Sequence, residues 1–280
     1  MTSLQDKHQQ LQALLRSYGK VAVAFSGGVD SSLLSYVAHE ALGENAVALT
    51  ADAPVVPRSE FSDAQVFCKR YGITQVICRP NPFIEDEVRF NASNRCYVCK
   101  KVIFGSLFEE AAKLGIATIA DGSNLDDLGD YRPGLKALEE LQVKSPLRDA
   151  GFTKADIRAL SKELGLPTWA KQSNACLATR FPYGSELTVE KLALVDRAEG
   201  ALSDMGFTQL RVRVHEDIAR IEVPVGQMST ILVDENRIAI VQALKELGFS
   251  YVTLDLSGYR TGSMNEKLTE TVLNTGTGQA

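Results

Sequence analysis

The stretch VAVAFSGGVDSSLLSYVAHEAL, residues 21–42, decides how the chain is read. A short apolar run of strand character leads into a Ser-Gly-Gly turn, and leucines and alanines at helical spacing follow it, so strand, tight turn and helix come in succession. Working outward, NAVALTA (45–51) reads as a second strand, 57–71 as a helix, TQVICRP (74–80) as a third strand, 97–114 as a helix and IATIADGS (116–123) as a fourth strand. Strands alternating with helices of this length imply right-handed crossovers and a parallel sheet. The expected class is α/β, with ligands where the carboxyl ends of the strands meet the following loops.

After about residue 150 the rhythm changes. KQSNACLATRFPYGSEL (171–187) is long, polar and turn-rich, and a helical stretch covers 188–205. QLRVRVHE (209–216) and ARIEVPV (219–225) then alternate apolar with polar residues as half-buried strands do, a helical pattern runs to Leu247, and YVTLDL (251–256) closes the series. The organisation expected is a larger α/β domain over 1–170, a linker loop with a cysteine over 171–187, and a smaller C-terminal α+β domain over 188–280 with an antiparallel sheet. The tail from Thr269, rich in Thr, Gly and Asn, is expected to fray. No repeat of fixed period appears.

Composition bounds the function. With 45% hydrophobic and 23% charged residues in 280, the chain has the make-up of a folded domain pair rather than of a disordered or fibrous protein. No apolar run reaches the ~18 residues needed to span a bilayer. The start, MTSLQDKHQQ, lacks the apolar segment of a secretory signal, which makes the cytoplasm the expected compartment. Thirty basic against thirty-five acidic residues give a net charge of -5, so nothing global favours a nucleic-acid partner or a membrane surface. Five cysteines, an odd number in a chain long enough to manage without staples, argue against a disulfide framework and for chemistry or metal.

The turn at Ser26, Gly27, Gly28, Val29, Asp30 and Ser31 lies between a strand and a helix start. There free backbone N–H groups and the positive end of the helix dipole converge on an anion, and glycines let a phosphate approach closely. The lysine of G-x-x-x-x-G-K-[ST] and the spacing of G-x-G-x-x-G are both absent. Asp30 could cap the helix or face a magnesium ion. SGGVDS (26–31) resembles the PP-loop of the ATP pyrophosphatase superfamily, adenine nucleotide alpha hydrolase-like folds. That resemblance implies cleavage of ATP between its α and β phosphates, transfer of AMP to a carboxylate or carbonyl oxygen, and pyrophosphate held by this loop. A second loop, DGSNLDDLGDYRPG (121–134), should open on the same sheet edge, where Asp121 and Asp127 could position magnesium or nucleotide or simply form a solvated turn. Tyr131 and Arg132 are weaker candidates.

Cys96 and Cys99 form C-x-x-C in SNRCYVCKK, at a helix start beside Arg95, Lys100 and Lys101. Such surroundings should lower the thiol pKa and favour thiolate, the form that ligates metal or attacks an electrophile. Cys176 is the natural third thiol, while Cys68 and Cys78 look like core packing. Three cysteine ligands would leave one corner of a 4Fe-4S cluster open for an exogenous sulfide that could be handed to an activated substrate. Zinc, a redox disulfide or simple burial also fit C-x-x-C. The three histidines, His8, His39 and His215, offer zinc no close-spaced fourth ligand.

SGGVDS, DYRPGLKA, Cys176 with TRFPYG, RVRVHEDIARIEVP and YVTLDLSGYRTGSMN occur in one order, and together they resemble the LarE family of nickel-pincer nucleotide biosynthesis, the pyridinium-3,5-bisthiocarboxylic acid mononucleotide synthases. The resemblance implies two adenylylations of carboxylates on a pyridinium mononucleotide, each followed by sulfur delivery, with ATP and Mg2+ as cofactors. Some members sacrifice their own cysteine and are left with dehydroalanine. Others share the extra C-x-x-C, which implies a 4Fe-4S cluster held by Cys96, Cys99 and Cys176, and that is the reading favoured here. The resemblance further carries over Arg180, Arg211 and Arg213 as a grip for the phosphate and carboxylates of the substrate; alternate spacing puts Arg211 and Arg213 on one strand face, where the bland alternative is a solvated surface. Glu199 and Glu222 match two metal-binding carboxylates near the reactive cysteine, while the third falls on Thr230. A homo-oligomer such as a hexamer is implied, and the source of sulfide is open.

Three rivals remain. A tRNA thiolase of the same superfamily would pair a PP-loop with C-x-x-C and a further cysteine, but the acidic balance and the lack of a basic, aromatic-lined stripe oppose it. A synthetase such as NAD or GMP synthase would use ammonia and make the cysteines incidental, and a nucleotide sensor would turn nothing over. Sulfur chemistry requires the pyrophosphate mouth and the Cys176 thiol to face one cavity.

Overall fold

Four short segments, Val21–Ala24 (β1), Ala46–Ala51 (β2), Thr74–Cys78 (β3) and Ile119–Ala120 (β4), form one sheet in the order β3-β2-β1-β4, all parallel, in a computed structural model that describes residues 3–129, 133–172 and 174–260. Tyr131, Arg132 and the tail from Thr269 lie outside the described residues. The chain divides into two compact units, Met1–Cys176 and Leu177–Ala280. Residues 171–176 therefore fall in the first unit and 177–187 in the second.

The strands of the first unit are apolar on both faces because helices cover both. Val21, Val23, Ala46 and Ala48 pack into one core with Leu11 and Leu15 of α1 (Leu4–Tyr18), Leu33, Leu34 and Val37 of α2 (Val29–Leu42) and Phe67 of α3 (Arg58–Tyr71). Ala22, Val47, Leu49 and Ile119, which point the other way, meet Phe104 and Leu107 of a long helix. Each large aliphatic side chain buried this way contributes roughly 1.5–3 kcal/mol. After the short helix α4 (Asp86–Arg89), that long helix is α5 (Arg95–Lys113), followed by α6 (Pro133–Glu140), α7 (Pro146–Asp149) and α8 (Lys154–Glu163). Capping boxes fix the starts of α1 and α8: Ser3 with Asp6, and Thr153 with Asp156.

The strand expected over 116–123 shrinks to two residues. One residue later the amide of Asp121 bonds the carbonyl of Lys144 at 2.8 Å, so the backbone leaves β1 for another partner. The order places β1 between β2 and β4, so the chain reverses direction across the sheet beside β1. In such folds the crevice at that reversal is where ligands bind.

In the second unit, α9 (Val189–Asp204) precedes a hairpin of β5 (Arg211–His215) and β6 (Ile218–Glu222), and α10 (Met228–Leu232) and α11 (Asp234–Glu246) lead to β7 (Tyr251–Leu254). The order is β5-β6-β7. β5 and β6 are antiparallel, but β7 runs parallel to β6, so the sheet is mixed and not antiparallel as the alternation suggested. The cause is the connection: two residues close a hairpin, whereas the two-helix crossover returns the chain in the same direction. Among the described residues no helix is long and apolar enough to cross a membrane.

Candidate functional site

The glycine turn is built as its sequence requires. Gly27 sits at φ 75°, in the left-handed region, and a Cβ there would come within 3.1 Å of the Glu60 carbonyl oxygen and 3.2 Å of Ala64, so the loop lies directly against α3. Gly28 is the N-cap of α2 and brings no side-chain cap to it. The Ser26 and Ser31 hydroxyls are 3.1 Å apart, and the Ser31 hydroxyl donates to the Gly28 carbonyl at 3.2 Å.

Asp30 does not cap the helix. One carboxylate oxygen accepts from the Lys154 ammonium at the start of α8, and the other is buried with no hydrogen-bond partner. Burial pushes its carboxyl above the ordinary range; Lys154 opposes this and Asp127 adds to it. Lys154, which the sequence did not single out, thus brings a cation to a loop that lacks the Walker lysine. Its only signal was a charged residue after the Thr153 cap, 124 positions from Asp30.

Asp121 and Asp127 separate in role. Asp121 is buried, and both its oxygens are taken, one by the Ser123 hydroxyl and one by the Ser145 hydroxyl at 2.7 Å, so it organises the loop after β4. Asp127 accepts from the Asn124 amide at 2.9 Å and remains close enough to Asp30 to disfavour its charge. Gly122 joins the two loops: a Cβ there would lie 3.0 Å from the Ser31 nitrogen and 3.1 Å from Asp30 Cβ.

The thiols fall into two groups. Cys68 and Cys78 are buried, and burial raises them to about 12 and about 11. Cys96 and Cys176 are exposed, and Cys99 is partly covered. The expectation of a low-pKa Cys99 is corrected: burial pushes its thiol far upward, Cys176 and Cys96 add to the shift, and Arg95 and Lys100 only partly oppose it. Cys96 and Cys176 are thus both near enough to act on Cys99 electrostatically, and all three lie in the first unit. Among the described residues no group of three His, Cys, Asp or Glu side chains is arranged to hold a metal ion.

The segment that leads to Cys176 is held to the loop. Lys171 Nζ donates to the Gly27 carbonyl at 3.1 Å and pairs with Glu60 at 3.0 Å and Asp63 at 2.8 Å, and the Asn174 amide donates to Glu60 at 2.8 Å.

In the second unit Arg180, Arg211 and Arg213 are buried rather than on a solvated face. Arg180 grips Glu199 through Nε at 2.8 Å and Nη2 at 2.9 Å, and Glu199 also accepts from the Val212 amide at 2.9 Å. Arg213 grips Glu222 through Nε at 3.1 Å and Nη2 at 3.0 Å, with Arg220 at 3.2 Å from the same carboxylate. Arg211 lies over the Tyr259 ring at 5.1 Å, and burial, then the nearby Arg180, pull its pKa down. Both carboxylates expected as metal ligands are thus occupied by guanidinium groups. The Thr230 carbonyl accepts from Asn236 at 2.8 Å.

A family model described as NAD synthase matches residues 4–90. A pyridinium-3,5-bisthiocarboxylic acid mononucleotide synthase from Lactiplantibacillus plantarum is 40% identical over 276 residues, covering 98% of this chain and 99% of that one. An uncharacterized protein from Synechocystis is 42% identical over 267 residues, covering 95% of this chain and all of that one. A glutamine-hydrolyzing GMP synthase from Mesorhizobium japonicum is 29% identical over 216 residues, 66% of this chain and 40% of the relative.

Proposed function

The chain belongs to the LarE family of pyridinium-3,5-bisthiocarboxylic acid mononucleotide synthases, and we propose from that premise that it uses ATP to insert sulfur into a pyridinium mononucleotide, the precursor of a nickel-pincer nucleotide. In the first step a substrate carboxylate oxygen attacks the α-phosphorus of ATP. The bond to the bridging oxygen of the β-phosphate breaks, pyrophosphate departs, and an acyl adenylate forms. The loop of Ser26, Gly27, Gly28 and Ser31 receives the pyrophosphate through backbone N–H groups and hydroxyls. The unpartnered oxygen of Asp30, with Asp127 beside it, suits a magnesium ion, which would supply charge neutralisation for the departing phosphates. Lys154 holds the other Asp30 oxygen and orients it.

In the second step sulfur attacks the acyl carbon and AMP leaves. What supports this step is the grouping of Cys96, Cys99 and Cys176 in the unit that carries the loop, with Cys176 exposed. A 4Fe-4S cluster on these three would supply an open iron for sulfide. Cys99, whose burial favours the protonated thiol, must release its proton on ligation. Arg180, Arg211 and Arg213 would orient the phosphate and carboxylates of the substrate. Glu199 and Glu222, each taken by guanidinium groups, do not fit a divalent ion as they stand, and no step is routed through one. The stretch similar to NAD synthase, residues 4–90, contains the phosphate loop, which supports ATP use.

The test is anaerobic turnover with ATP and pyridinium-3,5-biscarboxylic acid mononucleotide, followed by mass spectrometry of nucleotide and protein. Thiocarboxylate, AMP and pyrophosphate formed over many turnovers by iron-containing protein support the reading. Iron-free protein that works once and leaves Cys176 lighter by the mass of hydrogen sulfide would replace the cluster with sacrificial chemistry. No thiocarboxylate at all would refute the proposal.

A further inference from the structure

The cysteine segment and the phosphate loop are joined by a closed circuit of polar contacts within the first unit. From Asp30 the circuit passes to Lys154 at the start of α8. One turn along the same helix, Arg158 donates to the backbone carbonyl of Trp169 at 2.6 Å and to that of Lys171 at 2.9 Å, so α8 clamps the root of the segment. Lys171 then returns to the loop through the Gly27 carbonyl at 3.1 Å and to α3 through Glu60 and Asp63. Asn174, two residues before Cys176, adds a second bond from the segment to the same Glu60. Glu60 is buried, and the Lys171 side chain is only 18% exposed. Neither behaves as a surface ion pair, and removing either leaves a covered charge poorly matched. Gly27 contributes for a separate reason, since its contact with Glu60 and Ala64 leaves no room for a side chain.

We infer that Lys171 and Glu60 are positioning residues that couple occupancy of the phosphate loop to the placement of Cys176. An anion seated at the loop adds negative charge beside Gly27. The Lys171 ammonium, already shared between Gly27, Glu60 and Asp63, is drawn more firmly inward, and the segment is held in one place while the adenylate exists. The coupling is reciprocal: whatever the anion gains from the ordered segment, the segment gains from the anion. What Cys176 does once positioned rests on the proposed function; the coupling itself does not.

The experiment uses full-length protein stripped of iron by a chelator, so that the Cys176 thiol can react whatever the sulfur source, and inorganic pyrophosphate with magnesium, without ATP or the pyridinium substrate. Iodoacetamide labelling of Cys176 is followed by peptide mass spectrometry, pyrophosphate binding by calorimetry, and the root of the segment by fluorescence of Trp169, the one tryptophan in the sequence. In the wild type, saturating pyrophosphate should slow labelling of Cys176 about fivefold or more and shift the Trp169 emission. Lys171→Met should still bind pyrophosphate, weaker by about the same factor, and lose both responses, while Lys171→Arg keeps them. Asn174→Ala, exposed and outside the ion pair, should reduce the response even if Lys171→Met fails to fold. A wild type that binds no pyrophosphate, a wild-type rate indifferent to it, or a Lys171→Met and Asn174→Ala pair that respond as the wild type does would each overturn the coupling. Because no sulfur transfer is measured, absence of thiocarboxylate product would count against the proposed function and leave this result standing.

Discussion

Arg180→Met tests whether the arginine is fixed in the fold before any substrate arrives. Its side chain is wholly buried and Glu199 is 14% exposed, so solvent screens the pair little. Two parallel N–H···O bonds of 2.8 and 2.9 Å join them. Removing one partner of such a pair costs about 3–5 kcal/mol because the other charge stays covered and unmatched. Glu199 keeps the Val212 amide at 2.9 Å and the attraction of the nearby Arg211, which places the expected loss at the lower end, about 3 kcal/mol. For a chain of this size that corresponds to a melting temperature lower by about 6–12 °C. Glu199→Gln, which preserves an acceptor for Val212 but strips the charge, should cost a similar amount. The double variant buries neither charge and should recover most of the loss. Thermal unfolding of the four proteins by circular dichroism supplies the cycle. If Arg180→Met shifts stability by less than about 1 kcal/mol, or if the two single losses simply add, the pair is not the buried unit described.

Three further outcomes follow from the same structure. Gly27→Ala should abolish pyrophosphate binding by calorimetry and destabilise by about 1–3 kcal/mol, whereas Gly19→Ala, also at positive φ but with open space around it, should show the backbone cost alone and bind normally. Ellman's reagent at pH 8 should titrate Cys96 and Cys176 quickly while Cys68, Cys78 and Cys99, whose thiols burial raises, wait for denaturant; fast reaction of Cys99 would contradict its burial. Asp30 has its folded-state pKa raised, so its contribution to stability is full below the ordinary carboxylate range and is lost as pH climbs through the raised value. Asp30→Asn should therefore melt higher than the wild type near pH 7, with no such gain at acid pH, and should fail to release pyrophosphate in an ATP turnover assay.

The parallel sheet and its loop were legible because local signals agree: VAVA is apolar on both faces, Gly27 and Gly28 sit at the turn, and Leu33, Leu34 and Val37 repeat at helical spacing. The direction of β7 was not, since alternation gives a strand its faces but not its partner, and the two-helix crossover before it decides the matter. Nor was the state of Cys99. Its neighbours Arg95 and Lys100 are visible in sequence and favour thiolate, but burial, a property of the fold, outweighs them. Lys154 and Lys171 were hidden for a simpler reason: they reach Asp30 and Gly27 across 124 and 144 residues. Arg211 and Arg213 alternate with Val212 and Val214 as a half-exposed strand would, yet all four are buried, so periodicity alone misjudged the polar face.

Both units hold a charged group whose surroundings oppose its charge, and the two mismatches have opposite sign. In the first unit Asp30 is raised by burial and by Asp127, with Lys154 only partly compensating, and a cation placed beside its unpartnered oxygen would relieve the strain. In the second, Arg211 is lowered by burial and by Arg180, and Glu199 and Tyr259 oppose this only in part. There an anion would offset the excess positive charge. The proposed function would put magnesium nucleotide at the first of these groups and the substrate's phosphate or carboxylates at the second. A divalent metal on Glu199 and Glu222 would be costly, since it would have to displace three guanidinium groups, those of Arg180, Arg213 and Arg220.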